Sequence, residues 1–215
     1  MVHTDVSLAI QAGGNSKRMG EDKGRKLFLG RPLVMRVLER LSPLASEVMV
    51  TTNHPGDYAF VGRCLVPDLI PGRGALGGLY TALSSALFPV VAVVACDMPF
   101  ANLDLLREAA RLLVEQDVDI VVPRSESGLE PLHAVYRRNT CLPEVRAALQ
   151  EGQLKVISFF PAVRVFEISP DEVAKFDPLG LAFRNVNTPE EFLEAERLAQ
   201  SIDDPERQAD ADATV

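Results

Sequence analysis

Short apolar runs alternate with longer segments of helical period along most of this chain, and no other feature of the sequence restricts its fold as strongly. The pattern is that of βαβ units around a buried, mainly parallel sheet. Val6–Gln11 reads as the first strand, and residues 32–41 as a helix with Leu33, Val34, Val37, Leu38 and Leu41 on one stripe. Strands at 47–52 and Cys64–Val66 precede a Gly-rich loop and a helix at 76–87. Val90–Ala95 is almost wholly apolar, which places it at the centre of the sheet. A helix over Leu103–Glu115 and a strand at 120–122 follow. From Glu130 the rhythm changes to a strand at 132–136, a helix at 143–150 and a period-two strand at 163–168. Residues 189–200 close the body as an amphipathic helix, with Thr188 as N-cap and Glu190 and Glu191 at the positive end of its dipole. The expected fold is α/β: a three-layer α/β/α sandwich with a mainly parallel, Rossmann-like sheet.

A length of 215 residues suits one domain, expected over residues 1–200. Residues 201–215 carry Asp203, Asp204, Glu206, Asp210 and Asp212 against Arg207 and are expected to form an acidic, disordered tail. The net charge of −8 gives no broad basic footprint, so no nucleic-acid partner is expected. No apolar run approaches the roughly 20 residues that span a bilayer, and no membrane partner is expected. Cys64, Cys96 and Cys141 are widely spaced with no CxxC, which suggests neither a disulfide framework nor a zinc cluster. With a polar start that lacks a signal peptide, the expectation is a soluble, cytoplasmic protein.

Chemistry concentrates after the first strand, in Gln11-Ala12-Gly13-Gly14-Asn15-Ser16-Lys17-Arg18-Met19-Gly20-Glu21-Asp22-Lys23. Glycines let backbone N–H groups turn toward a ligand, and Arg18 and Lys23 add fixed positive charge, which together make a polyphosphate cradle. The loop is neither a Walker A sequence nor a GxGxxG fingerprint. A surface loop whose glycines serve only turns is the other reading, and the carboxyl end of a strand, where open α/β sheets bind ligands, favours the cradle.

This segment resembles the LAGGxSxRMGxDK signature of the molybdenum cofactor guanylyltransferases, within the wider nucleotidyltransferase superfamily. Pro71-Gly72-Arg73-Gly74-Ala75-Leu76-Gly77-Gly78-Leu79 is similar to that family's GPLGG segment, Cys96-Asp97-Met98-Pro99-Phe100 to CDMPF, Glu130 through Tyr136 to PLHALY, and Asn185 through Glu191 to NxNTPEE, all in the family's order. The resemblance implies transfer of GMP from GTP to the terminal phosphate of molybdopterin, with release of pyrophosphate and with Mg2+ as cofactor. It also implies partners among molybdoenzyme-loading proteins. Catalytic roles would fall to Lys23, Arg18 and Asp97. GTP contacts would involve Gln11, Ala12, Gly13, Gly14, Ser16, Lys23, Asn53, Asp68, Gly78 and Asp97.

Asp97 follows an apolar strand, so its carboxylate emerges beside the phosphate loop, and magnesium takes one or two carboxylates plus substrate phosphates and water. The alternative is a carboxylate that caps the helix beginning near Asn102. Asp68 could likewise open a turn instead of meeting the base. Asn185 and Asn187 resemble acceptor-site positions, and their spacing puts both on one face of an extended segment. Lys155, Arg164, Arg137 and Arg138 either meet acceptor phosphate or serve solubility. His3, His54 and His133 have no metal-ligand spacing and read as structural or solvent-facing, with His133 left a minor part at the substrate. The family usually has Leu where this chain has Gln11; backbone contacts survive the change, while a polar side chain there alters stacking or adds a hydrogen bond. Alternatives to guanylyl transfer are the use of CTP on molybdopterin, transfer of another nucleotide to a sugar phosphate, and a non-catalytic nucleotide-binding module.

Overall fold

A computed structural model describes residues 5–13 and 22–203. Among the described residues, ten strands and six α-helices run in chain order. The strands are β1 Val6–Gln11, β2 Leu27–Phe28, β3 Arg31–Pro32, β4 Glu47–Thr51, β5 Cys64–Val66, β6 Val90–Ala95, β7 Ile120–Ser125, β8 Gly128–Leu129, β9 His133–Arg137 and β10 Val165–Ile168. The helices are α1 Leu33–Leu41, α2 Gly74–Ser85, α3 Leu103–Glu115, α4 Arg138–Gln150, α5 Pro170–Val173 and α6 Pro189–Asp203.

The main sheet has the order β10-β7-β9-β6-β1-β4-β5, with β8 paired to β7. β9 alone on this path runs antiparallel to its neighbours. β1 and β6 are buried along their whole length on both faces, as their near-continuous apolar sequences require. Side chains alternate across the sheet: Leu8 and Ile10 pack toward α1 and α3, while Ala9 packs toward α2 and α4. A third cluster seats the β2–β3 hairpin against α6 through Phe28, Phe192 and Val186. The three-layer α/β expectation therefore holds, and β6 lies at the middle of the sheet.

Differences from the sequence reading have local causes. α4 begins at Arg138, five residues ahead of Pro143. The turn before the proline is anchored by tertiary contacts, with the Arg138 amide donating to Pro89 O and its Nε to Leu83 O, and these outweigh the proline's cost inside a helix. α2 starts at Gly74, two residues before the expected start, and ends at Ser85. β10 begins at Val165 because Arg164 is held at the strand's mouth by Asp119. α6 continues past Gln200 to Asp203, whose carboxylate pairs with Arg36 at 2.8 Å; the remainder of the expected acidic tail lies outside the described residues.

After β1 the chain passes to β4 and β5 on one side, then returns to β6 on the other. The carboxyl ends of β1 and β6 thus flank the point where strand order reverses, the place where such sheets open a ligand crevice.

Candidate functional site

Two loops leave that crevice, at Ala12–Gly13 and at Cys96–Asp97. They are tied together by the Cys96 amide donating to Gln11 O at 3.0 Å. Lys23 enters on a single 3₁₀ turn, Lys23–Arg25. Its ammonium donates to Asp97 Oδ2 at 3.1 Å and to Asn187 Oδ1 at 2.5 Å. Residues 74 and 164 positions apart from Lys23 in sequence thus meet on one cation. The 185–187 segment is docked by the Val186 amide on Asp97 O at 3.0 Å. Val186 is buried, which leaves Asn185 and Asn187 on the opposite side of the segment.

The turn that presents Lys23 has its own support. Asp22 accepts from the Gly24 amide at 3.1 Å and from the Tyr58 hydroxyl at 2.7 Å through the same oxygen. Tyr58 is fully buried. Burial above all, with the neighbouring Asp22 carboxylate adding to it, raises its phenol pKa, so it remains a donor. Gly24 has no room for a side chain: a Cβ there would overlap the Tyr58 hydroxyl and stand 3.2 Å from Cζ. Nothing in periodicity or composition marked Tyr58; its placement comes from the 3₁₀ segment Pro55–Val61, which turns Tyr58 and Val61 inward and leaves most of its other residues exposed.

Beside Lys23 and Asp97 lies a cleft of about 260 Å³, bordered also by Gln11, Gly13, Asp22 and Gly74. Gly13 faces Asn53, whose Nδ2 lies 3.5 Å from where a Cβ would sit. Asn53 neighbours Asp68, whose carboxyl is shifted upward by burial and partly drawn back by the Asn53 amide. Gly78 sits directly over the Gln11 carboxamide. The structure thus brings Gln11, Gly13, Lys23 and Asp97 to the border of one cleft, with Asn53 against Gly13, Gly78 over Gln11, Asn187 on the Lys23 ammonium, and Ala12 and Asn185 on the adjoining backbone, while Asp68 lies beside Asn53. Gly14, Ser16 and Arg18 lie outside the described residues.

The cap reading of Asp97 is settled by position. Asn102, not Asp97, caps α3, accepting from the Leu105 amide at 2.9 Å. Thr188 caps α6, its hydroxyl accepting from Glu191 N at 3.2 Å while the Glu191 carboxylate accepts from Thr188 N at 3.1 Å, a capping box that leaves the asparagines free of that duty.

Arg137 and Arg164 lie at the opposite edge of the sheet. Arg137 ends the antiparallel β9 and donates to Val118 O and Leu113 O, while Arg164 precedes β10 and pairs with Asp117 and Asp119. Arg138, bonded to Leu83 O, belongs to the same edge. They bind their own fold. His133 is fully buried, with Nε2 accepting from Asn102 N at 2.9 Å and the ring edge-on to Phe183. Burial pushes its pKa down to about 4. It serves the fold, not the cleft.

A larger cavity of about 500 Å³ opens further along the same carboxyl edge. It lies between the β7–β8 turn and the 170–184 segment, with Ser125, Glu130, Phe183 and Arg184 on its walls. Glu130 and Leu132, two positions apart, border the two cavities.

For magnesium the donor set is lean. Among the described residues no three His, Cys, Asp or Glu side chains cluster as a complete protein cage. Asp22 and Asp97 both border the cleft; Asp22 accepts from Tyr58 and Gly24 through Oδ1, and Asp97 accepts from Lys23 through Oδ2. One or two carboxylates completed by phosphates and water are a set magnesium accepts.

Fold and site together define an α/β domain of the NTP transferase class. Residues 8–163 match the family model for the MobA-like NTP transferase domain. The chain belongs to this family. It is 38% identical over 195 residues to the "Probable molybdenum cofactor guanylyltransferase" of Pelotomaculum thermopropionicum, covering 89% of this chain and 92% of that one. It is 33% identical over 192 residues to the molybdenum cofactor guanylyltransferase of Desulfosudis oleivorans, covering 89% and 94%. The crystal structure of molybdopterin-guanine dinucleotide biosynthesis protein A from Archaeoglobus fulgidus superposes with a TM-score of 0.80 at 25% identity, over 91% of this chain and 99% of that one. No helix among the described residues is long and apolar enough to cross a membrane.

Proposed function

We propose that this protein transfers GMP from GTP to the terminal phosphate of molybdopterin, forming the guanine dinucleotide cofactor and pyrophosphate. The observation that carries this reading is the convergence of Lys23, Asp97 and Asn187 at the switch point of the sheet, in a chain of this family. The pterin phosphate oxygen attacks the α-phosphorus of GTP, and the bond to the bridging oxygen of pyrophosphate breaks. The nucleophile is largely ionised near neutral pH, so no general base is needed. Lys23 lies where a cation would offset charge developing on the phosphates, with Arg18 of the same loop as its assigned companion. Asp97, together with substrate phosphates, would hold a magnesium ion, which would supply further charge neutralisation there.

The base faces Gly13, Asn53 and Asp68, at the end of the cleft away from Lys23. The acceptor enters from the other side, past Asn187 and Asn185. The neighbouring cavity lies on that side, with Phe183 offering an apolar face to the pterin and Arg184, paired with Glu194 at 2.7 Å, on the same wall.

Pyrophosphate release measured with each of the four NTPs, with and without molybdopterin, tests this reading. GTP with molybdopterin should exceed every other combination. Faster turnover of CTP or UTP, or turnover of GTP only with a sugar phosphate as acceptor, would replace it; GTP binding without turnover on any acceptor would indicate a non-catalytic module.

A further inference from the structure

Gln11 ends β1, a strand buried along its whole length, and is itself only 8% exposed. Its Nε2 has no hydrogen-bond partner among the described residues. A buried amide donor left unpaired is costly, and buried polar groups are with few exceptions partnered, by protein, water or ligand. The side chain does not disappear into the core. It borders the cleft that holds Lys23 and Asp97, on the face of the sheet covered by α2.

Its position is fixed from above by a glycine. A Cβ at Gly78 would stand 2.7 Å from Gln11 Oε1 and 2.9 Å from Cδ, closer than real Cβ atoms come. The carboxamide therefore occupies space that a bare helix backbone leaves open, and Gly78 and Gln11 act as a matched pair. Along the cleft, Gln11 is next but one to Gly13, which faces Asn53, so the carboxamide belongs to the end assigned to the base. At the phosphate end Lys23 already supplies charge. A neutral N–H donor in a water-poor floor suits a neutral acceptor better than a phosphate oxygen.

We propose that the Gln11 side chain reads the nucleotide, with Nε2 donating to the carbonyl oxygen at position 6 of a purine. Guanine offers an acceptor there, whereas adenine offers an amino group, which would set donor against donor. A site built around such a hydrogen bond rejects a ligand that lacks it, because the buried group is then left unpaired. This inference rests on the proposed guanylyl transfer and adds to it a side chain that specifies the base.

The test compares GTP with 2-aminopurine riboside triphosphate, a guanine nucleotide without the 6-oxo group, in the full chain and in Gln11→Leu and Gln11→Met. Calorimetry reports binding, pyrophosphate release with molybdopterin reports turnover, and thermal unfolding confirms that the variants fold. The parent should prefer GTP, and that preference should fall by about tenfold in both variants. An unchanged preference in folded variants, with GTP still turned over, overturns the role of Gln11 and leaves guanylyl transfer standing. A variant-sensitive preference in binding, with no turnover on molybdopterin, overturns the transfer and leaves Gln11 as the reader. Absence of GTP binding to the parent overturns both.

Discussion

Alanine at position 24 tests how Lys23 is held. Its Cβ would overlap the Tyr58 hydroxyl and lie 3.2 Å from Tyr58 Cζ and 3.3 Å from Cys96 Sγ. Tyr58 is fully buried, so its ring has little space to yield. Overpacking of this kind costs about 1–3 kcal/mol. Displacing the hydroxyl also breaks its 2.7 Å bond to Asp22, and a bond to a charged group is worth about 1.5–3 kcal/mol. Because some relaxation is shared between the two effects, Gly24→Ala should destabilise the protein by about 3 kcal/mol in urea unfolding at neutral pH. Tyr58→Phe removes the overlapping oxygen and should cost about 1–2 kcal/mol alone. In the double variant the nearest obstacle is the ring carbon at 3.2 Å, which a small shift relieves, so the double should fall short of the sum of the singles by about 1–2 kcal/mol. Turnover of GTP should drop by about tenfold or more in Gly24→Ala, since Lys23 is the preceding residue and a displacement near 1 Å suffices for that. Additive single effects, or a Gly24→Ala variant within about 0.5 kcal/mol of the parent, would refute the proposed clash and with it the role of Tyr58 in seating the lysine.

Three further outcomes follow from the same geometry. Asp97→Asn should lower pyrophosphate release by about 10³-fold while retaining the thermal transition, because it keeps the shape and removes the charge on which Lys23 and the proposed metal depend; near-normal turnover would remove the assignment. His133 sits at about 4 in the folded protein against an ordinary 6.5, so between these values the unfolded chain takes up a proton that the native one refuses. Stability is therefore unaffected by this group above the ordinary value and falls as pH drops toward 4, by about 3 kcal/mol in all; His133→Gln should flatten that part of the urea-unfolding profile, and an unchanged slope would show that other groups set it. Thr188→Ala should cost about 1 kcal/mol in the same assay, by removing the hydroxyl half of the α6 capping box, and no loss would mean the Glu191 carboxylate caps alone.

Much of the frame could be read from one dimension because burial on both faces leaves a signature without ambiguity. Val90–Ala95 is six apolar residues in a row, and only the middle of a covered sheet accepts such a run. An acidic residue just past its end, after Cys96, emerges at the sheet's carboxyl edge, which is where Asp97 lies. Where two residues make a strand, as in β2, β3 and β8, no period exists to be seen, and pairing is decided by what lies against the hairpin. The turn ahead of Pro143 is likewise hidden: Arg138 in it is bonded to Pro89 and Leu83, far away in sequence, and no local signal carries that contact. The site shows both cases. Gly13 and Lys23 were legible from motif, but Tyr58 beneath them was not, since a buried aromatic that supports a loop has the same sequence appearance as any other core residue.

The resting contact between Lys23 and Asp97 also explains how charge can be stored in a cleft waiting for a polyphosphate. Their side chains are 16% and 20% exposed, so either charge alone would face a desolvation cost. Paired with each other, and with Asn187 Oδ1 accepting a further ammonium N–H, each has a partner before any ligand arrives. On the proposed function, substrate phosphates would replace Asp97 as the partner of Lys23, and Asp97 would be left to hold the divalent ion. Because each side chain would exchange one opposite charge for another, the geometry that positions Lys23 can be held in advance. Asn187 then has a role distinct from the acceptor contact assigned to it: it steadies the lysine from the far side of the crevice, and its loss should act on GTP turnover even where acceptor binding is saturated.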